Sequence, residues 1–290
     1  MRAILASIVS VISARRFGES NSLQYGWGTS KDVSTYANID DVTTQHLELD
    51  FAVNFTGRFF EGSVTHTMLT QKDGQLSIWL DKVGIDVKKV SYKHENSTCD
   101  CWASLNFQSA SPIPPIGDAL QVFLPEAVNT NETFWLKIDY KTNKYSNAIS
   151  WLTKEQTAGQ KMPYLFSQCE DIACRSIAPL QDTPAVKATY NASVTVENGF
   201  VVKMSGNDTG STSNDTHTVF TFDNAIKMPS YLIAIAVGDL EYRSMGNRTG
   251  VITEPSQMDA VVTALESLET LLDKAEAYVG TPYIWGNYTI

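Results

Sequence analysis

Histidine is scarce in this chain: His46, His66, His94 and His217 are the only four among 290 residues. Only His94-Glu95 begins the His-Glu-x-x-His pattern that places two imidazoles on one helix face, and Thr98 stands where the second is required. No metal site and no resident cofactor are expected from this chain alone. Basic residues are also in deficit, with 22 Lys and Arg against 32 Asp and Glu, a net charge of -10 and a pI near 4.9. Nucleic acid needs a basic footprint, so it is excluded as a partner. An acidic surface serves solubility and also favours cationic ligands. No apolar run approaches the roughly 20 residues of a membrane span. Gly-x-Ser-x-Gly and phosphate-loop patterns are missing too, and Gly26-Trp27-Gly28 reads as a turn.

Cysteines are few: Cys99, Cys101, Cys169 and Cys174. Their spacing is wrong for a zinc ribbon. In an exported chain they allow two bridges in any of three connectivities.

Two features point to export. Arg2 precedes an apolar stretch from Ala3 to Ile12, followed by the small residues Ser13 and Ala14. This reads as a secretory signal peptide within residues 1–20, cleaved after Ala14. N-x-S/T sequons begin at Asn54, Asn96, Asn131, Asn191, Asn207, Asn214, Asn247 and Asn287. Chance predicts about three in a chain of this Asn, Ser and Thr content. A secreted, glycosylated protein is expected.

From Tyr36 to Tyr242 the pattern is strand-like. Strict alternation occurs in His46-Leu47-Glu48-Leu49-Asp50-Phe51, in Phe134 to Tyr140, in Ala192 to Val196 and in Val219 to Phe222. Turn chemistry separates these strands at Lys72-Asp73-Gly74, at Asn198-Gly199 and across the polar stretch Ser205 to His217. Ser111 to Pro115, with three prolines, marks a loop or an edge. The apolar run Tyr231 to Val237 predicts a strand buried on both faces. After Pro255 the period changes to three and four through Met258, Val261, Val262, Leu265, Leu268, Leu271, Leu272, Ala275 and Tyr278. That predicts one amphipathic helix over 257–279, with a capping-box start at Ser256 and Asp259 and a stop at Gly280. The fold expected is mainly β: a large, twisted, mostly antiparallel and saddle-like β domain, followed by one long amphipathic helix.

One stretch is more specific. Tyr164-Leu165-Phe166-Ser167-Gln168-Cys169, Cys174-Arg175-Ser176-Ile177 and Gln181-Asp182-Thr183-Pro184 resemble the non-catalytic N-terminal domain of the M1 gluzincin aminopeptidases. The leukotriene A4 hydrolase/aminopeptidase subgroup is the nearest in pattern. Trp151-Leu152-Thr153 and Pro229-Ser230-Tyr231-Leu232 fit the same subgroup, and the helix with Tyr283-Ile284-Trp285-Gly286 resembles the opening of the family's catalytic domain. The resemblance covers roughly residues 36–290. After the signal peptide read above (1–20), it divides the chain into an N-terminal β domain (21–250) and the start of a catalytic domain (251–290).

The resemblance implies a role for two residues. Gln168 would offer an amide oxygen and Glu170 a carboxylate to the free amino end of a peptide, whose ammonium carries three donors and one charge. The leukotriene hydrolase subgroup usually has glutamine where this chain has Glu170, whereas general M1 aminopeptidases have glutamate. Glu170 therefore tilts the implied activity toward peptides and away from lipid epoxides. Asp171 is a further departure, an acid where a small residue is usual. Arg175 and Asp182 are expected to hold the loop by a buried ion pair or an Asp-led turn. Zinc is implied only for a complete family member, since the Gly-x-Met-Glu-Asn strand and the His-Glu-x-x-His helix are not in these residues. The chain is expected to be inactive alone. It is either the substrate-anchoring part of a zinc aminopeptidase whose catalytic domain is missing, or a stand-alone secreted glycoprotein that binds peptides or partners. Cytoplasmic location, as for the subgroup, is the alternative to secretion.

Overall fold

The computed structural model describes residues 32–97, 99, 101–109 and 116–290. The expected signal peptide, the Gly26–Gly28 turn and the proline-rich segment 111–115 lie outside them. The first eight strands are β1 (Val42–Asn54), β2 (Phe59–Thr70), β3 (Gln75–Lys82), β4 (Ile85–His94), β5 (Ala103–Ser104), β6 (Phe107–Ser109), β7 (Asp118–Val128) and β8 (Thr133–Thr142). Then follow β9 (Ile149–Leu152), β10 (Tyr164–Ser167), β11 (Ala188–Glu197), β12 (Val201–Met204), β13 (Asn207–Ser213) and β14 (His217–Met228). The chain closes with β15 (Ile235–Gly238), β16 (Glu241–Ser244), β17 (Thr249–Thr253), helices α1 (Met258–Ala264) and α2 (Leu268–Val279), and β18 (Tyr288–Thr289).

Alternation in the sequence becomes a two-faced sheet. Leu47, Leu49 and Phe51 of β1 are buried while Glu48 and Asp50 face out, and Phe134, Leu136, Ile138 and Tyr140 repeat this in β8. Eight strands pair in the order β13-β14-β11-β1-β2-β8-β4-β5. Every pairing is antiparallel except β1 with β11, where Leu49 lies beside Ala192 in parallel register. Two smaller sheets, β12-β15-β10-β9 and β3-β7-β6, bury their apolar sides with the large sheet's inner face. Leu49 and Val194, Leu80 and Val122, and Leu165 and Val237 all join one continuous core. Each fully buried side chain of this size stabilises by about 1.5–3 kcal/mol. Phe51 and Phe60 stack within it at 4.8 Å.

The Lys72–Gly74 and Asn198–Gly199 turns occur as expected. Gly74 and Gly199 take φ of 75° and 97°, which a side chain would oppose. Two β expectations need correction. The polar stretch 205–217 is a strand as well as a turn: β13 pairs with β14 despite its composition, with Thr209 Oγ1 donating to Thr221 Oγ1 across the pair. The apolar run 231–237 is not one strand. Pro229 leads into a one-turn 3-10 helix at Ser230–Leu232, and only Ile235–Gly238 continues as β15.

The expected single helix over 257–279 is two. Leu265 leaves helical geometry at φ -109° and ψ 19°, and the Leu268 N–H donates to Leu265 O instead of continuing the α pattern. This break lets Leu268 join Val251 and Met258 in a small separate core beneath the β16-β17-β18 sheet. The capping box does not form. Pro255–Gln257 make a 3-10 turn, and Asp259 pairs with Arg243 at 2.8 Å. Gly280 does stop α2, in left-handed geometry at φ 79°. Part of the apolar stripe stays outside: Leu271, Tyr278 and Val279 are exposed, as are Ile284 and Ile290.

Candidate functional site

Strand β10 is the central support of the Gln168–Pro184 run. It lies between β9 and β15, with Leu165 buried against both. The Gln168 N–H donates to Ala148 O at 2.7 Å, so the ladder extends one residue past the strand. Beyond it, burial decides which side chains are presented. Cys169 points into the core, leaving Gln168, Glu170 and Asp171 exposed. Neither the Gln168 amide nor the Glu170 carboxylate makes a side-chain hydrogen bond or ion pair with the described residues. The Glu170–Asp171 peptide is cis. Ala173 N–H donates to Cys169 O at 2.8 Å, and a one-turn 3-10 helix, Cys174–Ser176, follows.

Behind this exposed edge is a buried polar network centred on Arg175, which is 1% exposed. Its Nε donates to Asp182 Oδ2 at 3.1 Å and its Nη2 to Asp182 O at 2.7 Å. Nη1 donates to Ile116 O and Nη2 also to Ser34 O, so four of the fork's five donors make hydrogen bonds. A second carboxylate, Asp81 Oδ1, lies 3.6 Å from Nη1. Asp81 accepts from Tyr36 N, Asp182 N and the Thr35 hydroxyl. Burial nevertheless outweighs Arg175 and these donors, and pushes the Asp81 carboxyl up to about 6. Asp182 also accepts from Ser230 Oγ at 2.5 Å. The expected loop-holding role of Arg175 and Asp182 is the one they occupy.

Two further residues stitch the run to the large sheet. Gln181 accepts from Thr44 N and donates to Val42 O, both at 2.8 Å. His66, fully buried, lies 3.0 Å from Pro179 O and 3.1 Å from Thr44 Oγ1. A carbonyl only accepts, so Nε2 carries the ring proton and Nδ1 accepts from the threonine. Burial pushes this imidazole down to about 4, and it stays neutral. Sequence reasoning did not single out Asp81, and named His66 and Ser230 without this role. The available signal for Asp81 was a charge at the end of an apolar run, Ile78-Trp79-Leu80-Asp81.

The histidines do not converge. His46 lies 2.6 Å from Thr189 Oγ1, His94 4.0 Å from Glu132, and His217 beside Thr216. Among the described residues no group of three His, Cys, Asp or Glu side chains is placed to hold a metal ion. The residues present do not fit a zinc centre. No helix among the described residues is long and apolar enough to cross a membrane.

All eight sequon asparagines are exposed. Asn54 ends β1, Asn191 lies on the outer face of β11, and Asn131 occupies the β7–β8 turn at φ 65°. Asn207 opens β13 and Asn214 follows it. Asn54 and Asn214 engage their amide oxygens with Gly57 N and with Thr216 N and His217 N. The nitrogen that would carry a glycan is the atom left over.

The family model for the peptidase M1 N-terminal domain matches residues 43–232. Leukotriene A-4 hydrolase of Xenopus laevis is 35% identical over 262 residues, which are 89% of this chain and 42% of that protein. Leucine aminopeptidase 2 of Chaetomium globosum is 34% identical, over 90% of this chain and 41% of its own length. The solved structure of yeast LTA4 hydrolase in complex with bestatin superposes with a TM-score of 0.78 at 30% identity, covering 96% of this chain and 40% of the yeast one. The chain thus spans about two fifths of the length of these relatives. On the family match over 43–232, carried by the same β domain that builds the Gln168–Pro184 run, this chain belongs to the peptidase M1 family and comprises its N-terminal domain.

Proposed function

We propose that this chain is the substrate-anchoring N-terminal part of a zinc aminopeptidase. Gln168 and Glu170 receive the free amino end of a peptide, and the chain alone is not catalytic. The observation that carries this reading is the contrast at the end of β10. Two polar side chains are exposed without partners among the described residues, on a turn whose underside is fixed by Arg175, Asp182 and Asp81. An amide oxygen and a carboxylate so placed suit an ammonium group. Zinc, in a complete enzyme, would polarise the scissile carbonyl and activate water; this chain supplies none of its ligands. The exposed apolar side chains Leu271, Tyr278, Val279 and Ile284 support contact with a further, catalytic domain.

A titration of the purified chain with a peptide and its N-acetylated form tests the anchor. The free amine is expected to bind at least tenfold more tightly, and Glu170→Ala to remove the difference. Equal binding of both forms would discard the anchor. Zinc-dependent release of amino-terminal residues by this chain alone would discard the non-catalytic assignment.

A second reading, a stand-alone secreted glycoprotein that binds peptides or partners, draws on a different observation. All eight sequon asparagines are exposed, and α1 and α2 fold back onto the β16-β17-β18 sheet through Met258 and Leu268. Secretion itself fits either reading, because a complete enzyme would carry the same sequons. The mass of the native protein in its source tissue separates them. A band near 32 kDa plus glycans favours the module, and one more than twice that size favours the enzyme.

A further inference from the structure

The four cysteines fall into two pairs. Cys99 and Cys101 are disulfide-bonded, whereas Cys169 and Cys174 are free, each 1% exposed. The second pair brackets the turn Glu170–Ala173, whose closing hydrogen bond runs from Ala173 N to Cys169 O. That bond folds the chain back and sets the Cys174 side chain against that of Cys169, inside the main core. The neighbouring Cys169 thiol, ahead of burial, pushes the Cys174 thiol well above its ordinary range.

We propose that Cys169 and Cys174 are a redox pair that closes into a disulfide across the Glu170–Ala173 turn when the chain folds in an oxidising compartment. Both thiols are buried at the two ends of one closed turn, so a local approach brings the sulfurs to the covalent separation of about 2.05 Å. The oxidant is a low-molecular-weight disulfide of the glutathione type. During folding the Cys169 thiol gives up its proton and attacks the small disulfide as the thiolate. It forms a mixed disulfide and expels one small thiolate. Cys174 then gives up its proton and attacks the Cys169 sulfur, expelling the second. One small disulfide is consumed and two small thiols are released, which carry off two electrons and the two protein thiol protons. In the folded dithiol both sulfurs are shielded, so the reaction belongs to folding rather than to the finished protein. The pairing completes one of the three possible connectivities, joining near neighbours in sequence, and it does not depend on what Glu170 binds.

The test uses the whole chain, unmodified. Lys161 and Arg175 bound one tryptic peptide, Met162–Arg175, which contains both cysteines and neither of the other two. The protein is refolded in mixed oxidised and reduced glutathione, denatured, treated with iodoacetamide, and digested without reduction. More than half of Met162–Arg175 is expected without alkyl groups and lighter than the dithiol by two hydrogens. Double alkylation of that peptide, a retained glutathione adduct, or a cross-link to the peptide holding Cys99 and Cys101 would each overturn the proposal.

Discussion

Arg175 and Asp182 form an ion pair with both side chains 1% exposed, placed directly behind the turn that presents Gln168 and Glu170. The guanidinium also faces Asp81, so one cation serves two buried carboxylates. The exposed edge and the buried Arg175–Asp182 pair are thereby one piece of chain, only a few residues apart.

Removing the cation should be costly. Arg175→Ala leaves Asp81 and Asp182 without their counter-charge, and about 3–5 kcal/mol of stability is expected to be lost. Arg175→Lys should lose less but remain damaging, since a point charge cannot serve acceptors on Asp182, Ile116 and Ser34 together. Urea denaturation measures both, and a loss below about 1 kcal/mol for the alanine variant would contradict the role given to Arg175.

The pH response follows from two buried groups of opposite sense. His66 titrates near 4 when folded and near 6.5 when unfolded. Between those values only the unfolded chain binds the proton, so acidification destabilises. Asp81 titrates near 6 when folded against 3.8 when unfolded. There the folded chain takes the proton, so acidification stabilises. Each shift is worth on the order of 3 kcal/mol, so between pH 6.5 and 4 the two nearly offset. Asp81→Asn removes one arm, and its stability should fall by roughly 2–3 kcal/mol more than the wild type's over that range. Denaturant midpoints of the two proteins, taken at each pH, would refute this if they fell in parallel.

Gln168→Ala and Glu170→Ala should leave stability within about 0.5 kcal/mol, because both side chains are exposed and make no hydrogen bond or ion pair with the described residues. Any loss of peptide binding in these variants then belongs to the site. A melting temperature depressed as far as that of Arg175→Ala would place them in the fold instead.

Glycosylation is checked by expression in a secreting eukaryotic host. The product should exceed 32.0 kDa and return toward it on treatment with an N-glycosidase. Asn207→Gln and Asn214→Gln, on either side of β13, should each remove one glycan step without loss of secretion. An unshifted, secreted product would discard the sequon reading.

Much of the fold was legible because burial follows the side-chain period. Leu47, Leu49 and Phe51 alternate with polar residues in the sequence and face the core in β1. Where the period was absent, neighbours decided. Asn207–Ser213 has no apolar face, and becomes a strand because β14 offers it a free edge. The helix break at Leu265 carries no glycine or proline, and follows from where Val251 and Met258 lie. In the site, Gln168 and Glu170 could be carried over from a family pattern. The Asp81–Arg175–Asp182 arrangement joins residues about a hundred positions apart, and no local rule places Asp81 beside the other two.

The one parallel joint of the eight-stranded sheet, β1 against β11, has a consequence during synthesis. β1 gains β2 as a neighbour almost at once, but its other edge waits for Ala188–Glu197. Residues 55–187 must be made first, and at about 5–20 residues per second the wait is on the order of ten seconds. Through that interval the nascent chain carries an open strand edge along Leu47, Leu49 and Phe51. Chains released before Ala188 would keep that edge unpaired, so incomplete products of this domain should be recognised by chaperones or aggregate rather than persist as smaller folded units.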